Sequence, residues 1–202
     1  MKLVNISTAT ELLSNGELVV LPTDTVYGIA CDYANFDSVK KVYQIKGRSD
    51  AKPLIVLIAN LNMLEKIVSE ITDKHKVLMD IFWPGALTLI FNKSDRISDL
   101  ISAGGKTIGV RMPANKTTLE IINALGRPIV ATSVNKSGMP SLVDLNEISA
   151  QFPGIALVDG GKQLRGIEST VLDLTSDKPK LIRQGTFLKE DLEAVLGEEI
   201  FI

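Results

Sequence analysis

Short apolar runs alternate with stretches of helical period along the whole chain, and polar residues collect just behind the apolar runs. Thr8 and Glu11 have capping-box spacing, which predicts a short helix that stops near Gly16. Residues 18–21 read as a buried strand ended by Pro22, and a turn-rich polar stretch follows. Phe36, Val39, Val42, Tyr43 and Ile45 recur at roughly helical spacing. Residues 53–59 are continuous and β-branched, the pattern of an inner strand. Residues 61–82 read as two helices broken near Thr72. Strands are predicted at 87–91 and 107–111, a helix at 116–125 closed by Gly126, and a strand at 128–132. Short strands follow at 155–158, 169–174 and 180–183, and a terminal helix at 188–196 ends at Gly197.

This order begins with strand–helix–strand units and ends richer in strands. Strict alternation fails after Pro140, which argues against a pure doubly wound fold. The expectation is α/β: a single domain over 1–202, with one twisted, open, mixed parallel and antiparallel sheet flanked by helices.

Composition narrows the classes. A chain of 202 residues with 45% hydrophobic content buries a substantial core without staples. Cys31 and His75 are the only cysteine and histidine, so no disulfide or zinc cluster forms within the chain, and no metal ligands are assigned. The first residues hold no long apolar segment and the longest apolar run, 54–59, is too short to span a bilayer, so a soluble cytoplasmic protein without a membrane partner is expected. A net charge of −2 argues against a broad nucleic-acid footprint but leaves room for a local basic cleft.

Loops behind strands are where open α/β sheets bind ligands, and five stretches qualify. In 21–28, Thr23 and Thr25 flank Asp24, which suits either local turns or a site for an ammonium or hydroxyl group. In 46–53, Lys46, Arg48 and Lys52 lie within seven residues, fitting a helix C-terminus or, better, a phosphate clamp. Arg111 alternates with apolar neighbours on a strand and needs an anionic partner, either a structural carboxylate or a substrate. In 131–141, hydroxyls, Asn135 and Gly138 suit a polar loop or a phosphate wrap. Around 166–171 and 181–185, hydroxyls and Arg183 again sit at strand margins.

Other motifs fail. Gly104, Gly105, Lys106 and Thr107 look like the tail of a P-loop, but Leu100 stands where its first glycine belongs. No G-x-G-x-x-G follows a strand and no G-x-S-x-G occurs. His75, between Lys74 and Lys76, is expected to be solvated; Cys31 reads as a small buried residue, and Trp83-Pro84-Gly85 as a helix stop with its indole on the core. The chemistry expected is one that needs no protein nucleophile, such as nucleotidyl transfer by positioning and charge neutralisation.

The stretches PTDTVYGIACD, KGRSDAKPLIVL, FWPGALTLIF, TIGVRMP, ATSVNKSGMPS, IESTVLDL and LIRQG, in that order, resemble the YrdC-like threonylcarbamoyl-AMP synthase family over nearly the whole chain. The resemblance implies a twisted open sheet with a concave basic cavity. It also implies formation of threonylcarbamoyl-AMP and pyrophosphate from L-threonine, bicarbonate or CO2, and ATP, with Mg2+ accompanying the phosphates. The signatures K-x-R and S-x-N place catalytic positions at Lys46, Arg48, Ser133 and Asn135. ATP contacts would fall to Arg48, Lys52, Thr107, Ser133, Ser141 and Arg183, and threonine contacts to Thr25, Arg111, Ala131 and Ser169. Arg111 would pair bidentately with the threonine carboxylate. Some longer relatives carry histidine where this chain has Leu57, and longer relatives also add a C-terminal domain.

Partners implied by the resemblance are downstream tRNA threonylcarbamoyl-transfer proteins, with weak tRNA binding. Two rivals share the module: an RNA-binding domain without turnover, against which the net charge weighs, and a carbamoyl-transfer enzyme of hydrogenase maturation, whose zinc-finger cysteines have no counterpart here.

Overall fold

In the computed structural model, which describes residues 2–47, 52–136, 138–160 and 165–202, β1 (Lys2–Leu3) leads into α1 (Ile6–Ser14) and then β2 (Val19–Leu21). After the 22–27 turn come β3 (Gly28–Asp32), α2 (Phe36–Lys46), β4 (Ile55–Leu57), α3 (Leu61–Glu65) and α4 (Asp73–Phe82). The middle of the chain forms β5 (Leu87–Asn92), α5 (Asp99–Ser102), β6 (Thr107–Arg111), α6 (Lys116–Leu125) and β7 (Ile129–Ser133). It ends with α7 (Leu145–Gln151), β8 (Ala156–Leu157), β9 (Thr170–Asp173), β10 (Lys180–Arg183) and α8 (Lys189–Leu196).

Among the described residues the strands join in one sheet, in the order β1-β8-β2-β3-β7-β4-β6-β5-β9-β10. Its pairings are mixed, as expected. Strand β7 runs antiparallel to β3 and β4, whereas β4 and β6 are parallel. No helix among the described residues is long and apolar enough to cross a membrane.

Local chemistry explains most boundaries. Helix α1 starts earlier than the Thr8–Glu11 spacing predicts, because the Asn5 side chain accepts the Thr8 N–H and caps the helix. Gly16 then turns the chain with φ 78°, and a Cβ there would sit 2.6 Å from Asn35 Nδ2. Thr72 caps α4, confirming the predicted break. Helix α4 ends at Trp83, whose Nε1 donates to the Leu87 carbonyl at 2.7 Å, as the helix-stop reading expects.

His75 corrects its sequence reading. It is buried, not solvated: its ring stacks on Phe91 at 4.1 Å, Nε2 meets the Ile90 carbonyl at 3.0 Å, and Nδ1 meets Thr72 Oγ1 at 2.7 Å. Burial lowers its pKa. Cys31 is buried as expected, and burial pushes its thiol up to about 12, so no reactive thiolate forms.

Helix α1 packs on α6 and β3, α2 on β3 and α5, and α4 on α8. Leu13, Leu21, Ile29, Leu78, Leu87 and Phe91 lie at the centre. Each such side chain contributes roughly 1.5–3 kcal/mol by leaving water.

Candidate functional site

A hollow of about 360 Å3 opens over the face of β3, β7, β4 and β6. Register shows how it arises. Gly28 pairs with Ser133, Ala131 with Ile55, and Ile55 in turn with Gly109. Directly paired residues share a face, so small side chains gather at the centre of this one. Its floor therefore lies across the strands as well as at their ends, which the loop-based expectation missed.

One end of the hollow is built around Arg111, at the end of β6. Its Nε donates to the Gly85 carbonyl at 2.8 Å, Nη1 donates to Thr25 Oγ1 at 2.8 Å, and Nη2 pairs with Asp24. Asp24 also accepts the Ala114 N–H at 3.0 Å. Burial lowers the Arg111 pKa while Asp24 raises it; a guanidinium stays charged through such a shift. The structural-carboxylate and the substrate readings of Arg111 are thus compatible. Among the described residues, three of its five N–H donors bond to the protein, which leaves two for a ligand.

Thr25 is buried and aimed by Thr23, whose hydroxyl lies 2.9 Å away and donates on to the Val26 carbonyl at 2.6 Å. Leu57 pairs with Arg111 across β4 and β6 and lines the wall beside it, so the position that is histidine in some longer relatives borders the guanidinium.

The other end is cationic. Lys46 closes α2, and Gly47 turns the chain away with φ 57°. The Lys46 ammonium is buried and donates to the Ser133 carbonyl at 2.5 Å and to Asn135 Oδ1 at 2.6 Å. Ser133 Oγ donates to the same Oδ1 at 2.8 Å, and Asn135 Nδ2 donates to the Met139 carbonyl. The lysine of the K-x-R signature and both named residues of S-x-N therefore form one hydrogen-bonded group. Lys52 lines the same hollow.

The side wall comes from the strand-rich C-terminal part. Ser169 Oγ lies 2.8 Å from Thr88 Oγ1 and accepts from Arg183 Nη2 at 3.2 Å. Arg183 also donates from Nε to the Ser169 carbonyl at 3.1 Å and pairs with Glu168. Ser141 Oγ donates to Glu168 Oε1 at 2.9 Å. Gly185 is required here, because a Cβ would approach the Glu168 carbonyl oxygen to 2.2 Å.

Most of the sequence-predicted residues therefore converge. Thr25, Lys46, Lys52, Arg111, Ala131, Ser133, Asn135, Ser169 and Arg183 line one hollow. Ser141 reaches it through Glu168. Thr107 is set apart: it opens β6 opposite Asn92, at the far end of the strand from Arg111, and is not part of the lining. Arg48 lies outside the described residues. Sequence reasoning gave no role to Glu168 or Thr88, and it left Asp24 without its partner. The signal for Glu168 was its place directly before Ser169, a carboxylate among hydroxyls at a strand entrance.

Known proteins share this chain's sequence and fold. The Sua5/YciO/YrdC family model, described as "Telomere recombination", matches residues 11–185. A threonylcarbamoyl-AMP synthase of Bacillus subtilis (strain 168) is 44% identical over 195 residues, covering 95% of this chain and 56% of that protein. The crystal structure of Pyrococcus abyssi Sua5 complexed with L-threonine superposes with a TM-score of 0.93 at 39% identity, covering 96% of this chain and 58% of that one. The Escherichia coli YciO structure superposes with a TM-score of 0.84 at 25% identity, covering 93% and 92%. The chain thus spans a little over half the length of the B. subtilis and P. abyssi synthases.

Proposed function

Because this chain belongs to the Sua5/YciO/YrdC family, we propose that it is a threonylcarbamoyl-AMP synthase serving threonylcarbamoyladenosine formation in tRNA. One observation carries the reading. A single hollow holds an arginine that, among the described residues, keeps two N–H donors for a ligand, together with three further cations, Lys46, Lys52 and Arg183. That is an arrangement for one carboxylate and one polyphosphate held side by side. The P. abyssi relative was crystallised with L-threonine, which supports threonine as the amino acid.

The proposed chemistry has two steps. The unprotonated threonine amine attacks bicarbonate; the N–C bond forms, water leaves, and a carbamate results. A carbamate oxygen then attacks the α-phosphorus of ATP; the new O–P bond forms as the bond to the β-phosphate bridge breaks, and pyrophosphate departs. The protein contributes orientation and charge, not a covalent intermediate. Arg111 fixes the carboxylate while Thr25 and Ser169 flank it. Lys46 and Arg183 neutralise charge accumulating on the phosphates, with Arg48 and Lys52 assigned alongside them.

The donor set fits a cation that arrives with the nucleotide. Among the described residues no three histidine, cysteine, aspartate or glutamate side chains cluster into a cage. Mg2+ is commonly held through one or two carboxylates plus substrate phosphates, and Glu168 supplies one on the side wall beside Arg183. When bound, the cation would withdraw charge from the departing pyrophosphate.

Incubation with ATP, L-threonine and bicarbonate tests the proposal. Threonylcarbamoyl-AMP should be found by mass spectrometry, and pyrophosphate release should need all three substrates. Equal release from ATP alone would reject it. Transfer to tRNA would rest on partner proteins in the cytoplasm, as the reading assigns.

A further inference from the structure

Among the described residues two arginines face the hollow, and each is paired with an internal carboxylate, but the pairs differ in construction. Asp24 and Arg111 side chains are 12% and 6% exposed, and Asp24 is pinned by a backbone N–H as well as by the arginine. Glu168 and Arg183 side chains are 33% and 38% exposed. Among the described residues the donors to the Glu168 carboxylate are two side chains, Arg183 and Ser141. Arg183 keeps its place without Glu168, because Nε and Nη2 both donate to Ser169. The first pair is a fixed part of the wall. The second is about one-third exposed and is held by side chains alone.

The donors holding Glu168 are the ones assigned to nucleotide phosphate. A serine hydroxyl carries one proton, so Ser141 serves either the carboxylate or a phosphate oxygen. A bare polyphosphate reaching Arg183 and Ser141 must displace Glu168 and then lie beside a like charge. A divalent cation changes the sign of that contact, since Mg2+ binds one carboxylate together with phosphate oxygens.

We propose that Glu168 is a specificity-determining residue that makes the phosphate end accept cation-complexed polyphosphate and refuse the bare anion. This rests on the reading above that the cationic end receives the nucleotide triphosphate. Glu168 then opposes phosphate when the cation is missing and ligates the cation when it is present.

The test is calorimetric titration of inorganic pyrophosphate into the wild-type protein and Glu168→Gln, each in MgCl2 and in EDTA. Wild-type affinity should fall about tenfold or more on cation removal, the size of one lost charge-assisted contact. Glu168→Gln should change by less than about threefold and should bind pyrophosphate in EDTA about tenfold more tightly than wild type. Glu168→Ala should behave likewise, and a melting curve for each variant reports its folding. Equal cation dependence in variants and wild type, or no gain in EDTA, overturns the inference while leaving the synthase reading intact. Pyrophosphate binding by neither wild type nor variants rejects both. Binding by the variants alone overturns the inference, because the wild type then refuses the cation-complexed anion as well.

Discussion

The Lys46 ammonium and the Asn135 side-chain carbonyl lie 2.6 Å apart, although 89 residues separate them in the chain. The bond places a buried cation at the edge of the hollow and ties the last turn of α2 to the loop behind β7. Its second acceptor, the Ser133 carbonyl, is backbone. The two residues of the S-x-N signature therefore hold Lys46 by different means, and substitution separates them.

Asn135→Ala removes an acceptor from both Lys46 and Ser133. The loss should cost about 1–3 kcal/mol and lower the melting temperature by roughly 2–4 °C per kcal/mol. Ser133→Ala keeps its carbonyl on Lys46, so its melting temperature should stay close to wild type. Both variants should bind ATP more weakly. A melting temperature for Asn135→Ala equal to that of Ser133→Ala would show that the Lys46–Asn135 bond carries little weight.

Arg111→Lys should weaken threonine about tenfold or more while ATP affinity changes little, because lysine keeps the charge and loses the planar fork. The protein bonds to Gly85, Thr25 and Asp24 go in three directions that one ammonium does not match, so the melting temperature should fall as well. The decisive readout is the ratio of the two titrations. Proportionate losses for threonine and ATP would leave Arg111 with a structural role only.

Gly85→Ala should act on threonine from outside the carboxylate contact. A Cβ at residue 85 would lie 2.2 Å from the Phe82 carbonyl oxygen, so the turn must shift. The Gly85 carbonyl receives Arg111 Nε, and its N–H donates to the Met112 carbonyl at 2.8 Å. Threonine affinity should drop with stability, and ATP affinity should be spared. Wild-type threonine binding in this variant would exclude the Gly85 carbonyl as a positioning group.

Stability should decline as pH falls below about 6.5, the ordinary histidine value. Burial lowers the folded-state pKa of His75, partly offset by the Ile90 carbonyl bond and by the charges of Glu70 and Asp173. Between the lowered folded value and about 6.5, the unfolded chain binds the extra proton and the folded one does not. The contribution is therefore complete above that window and lost through it as pH falls. Urea midpoints measured from pH 7.5 to pH 5 should show a slope that is reduced in His75→Gln. Identical slopes in both proteins would contradict it.

Much of the site was legible because polar residues behind apolar strands have little else to do. Thr25, Arg111, Ser133 and Arg183 follow or end such runs, Lys46 ends a helix, and they meet. Strand β3 was not foreseen: all five residues of Gly28–Asp32 are buried, so no alternation marks the strand, and the 22–27 turn masks its start. Helices α5 and α7, four and seven residues long, offer too few turns to establish a period. His75 was misread from its neighbours alone. Helical phase aligns it with Leu78 and Met79, which are buried, and turns Lys74 and Lys76 outward. The carboxylate partners of Arg111 and Arg183 were hidden for another reason: Asp24 lies 87 residues from Arg111, and strand register alone brings them together.

Pairings of such span also make the hollow a sensor of folding itself. Arg111 meets Thr25 across 86 residues, and Lys46 meets the Ser133 carbonyl across 87. Neither contact exists until the central strands have found their register, and loop closure of that length comes late in the growth of a sheet. A chain that lacks either partner of these contacts loses a wall of the hollow. Conversely, whatever the hollow binds draws the whole sheet toward the native state: at a free concentration one hundred times Kd, the linkage amounts to about 2.7 kcal/mol.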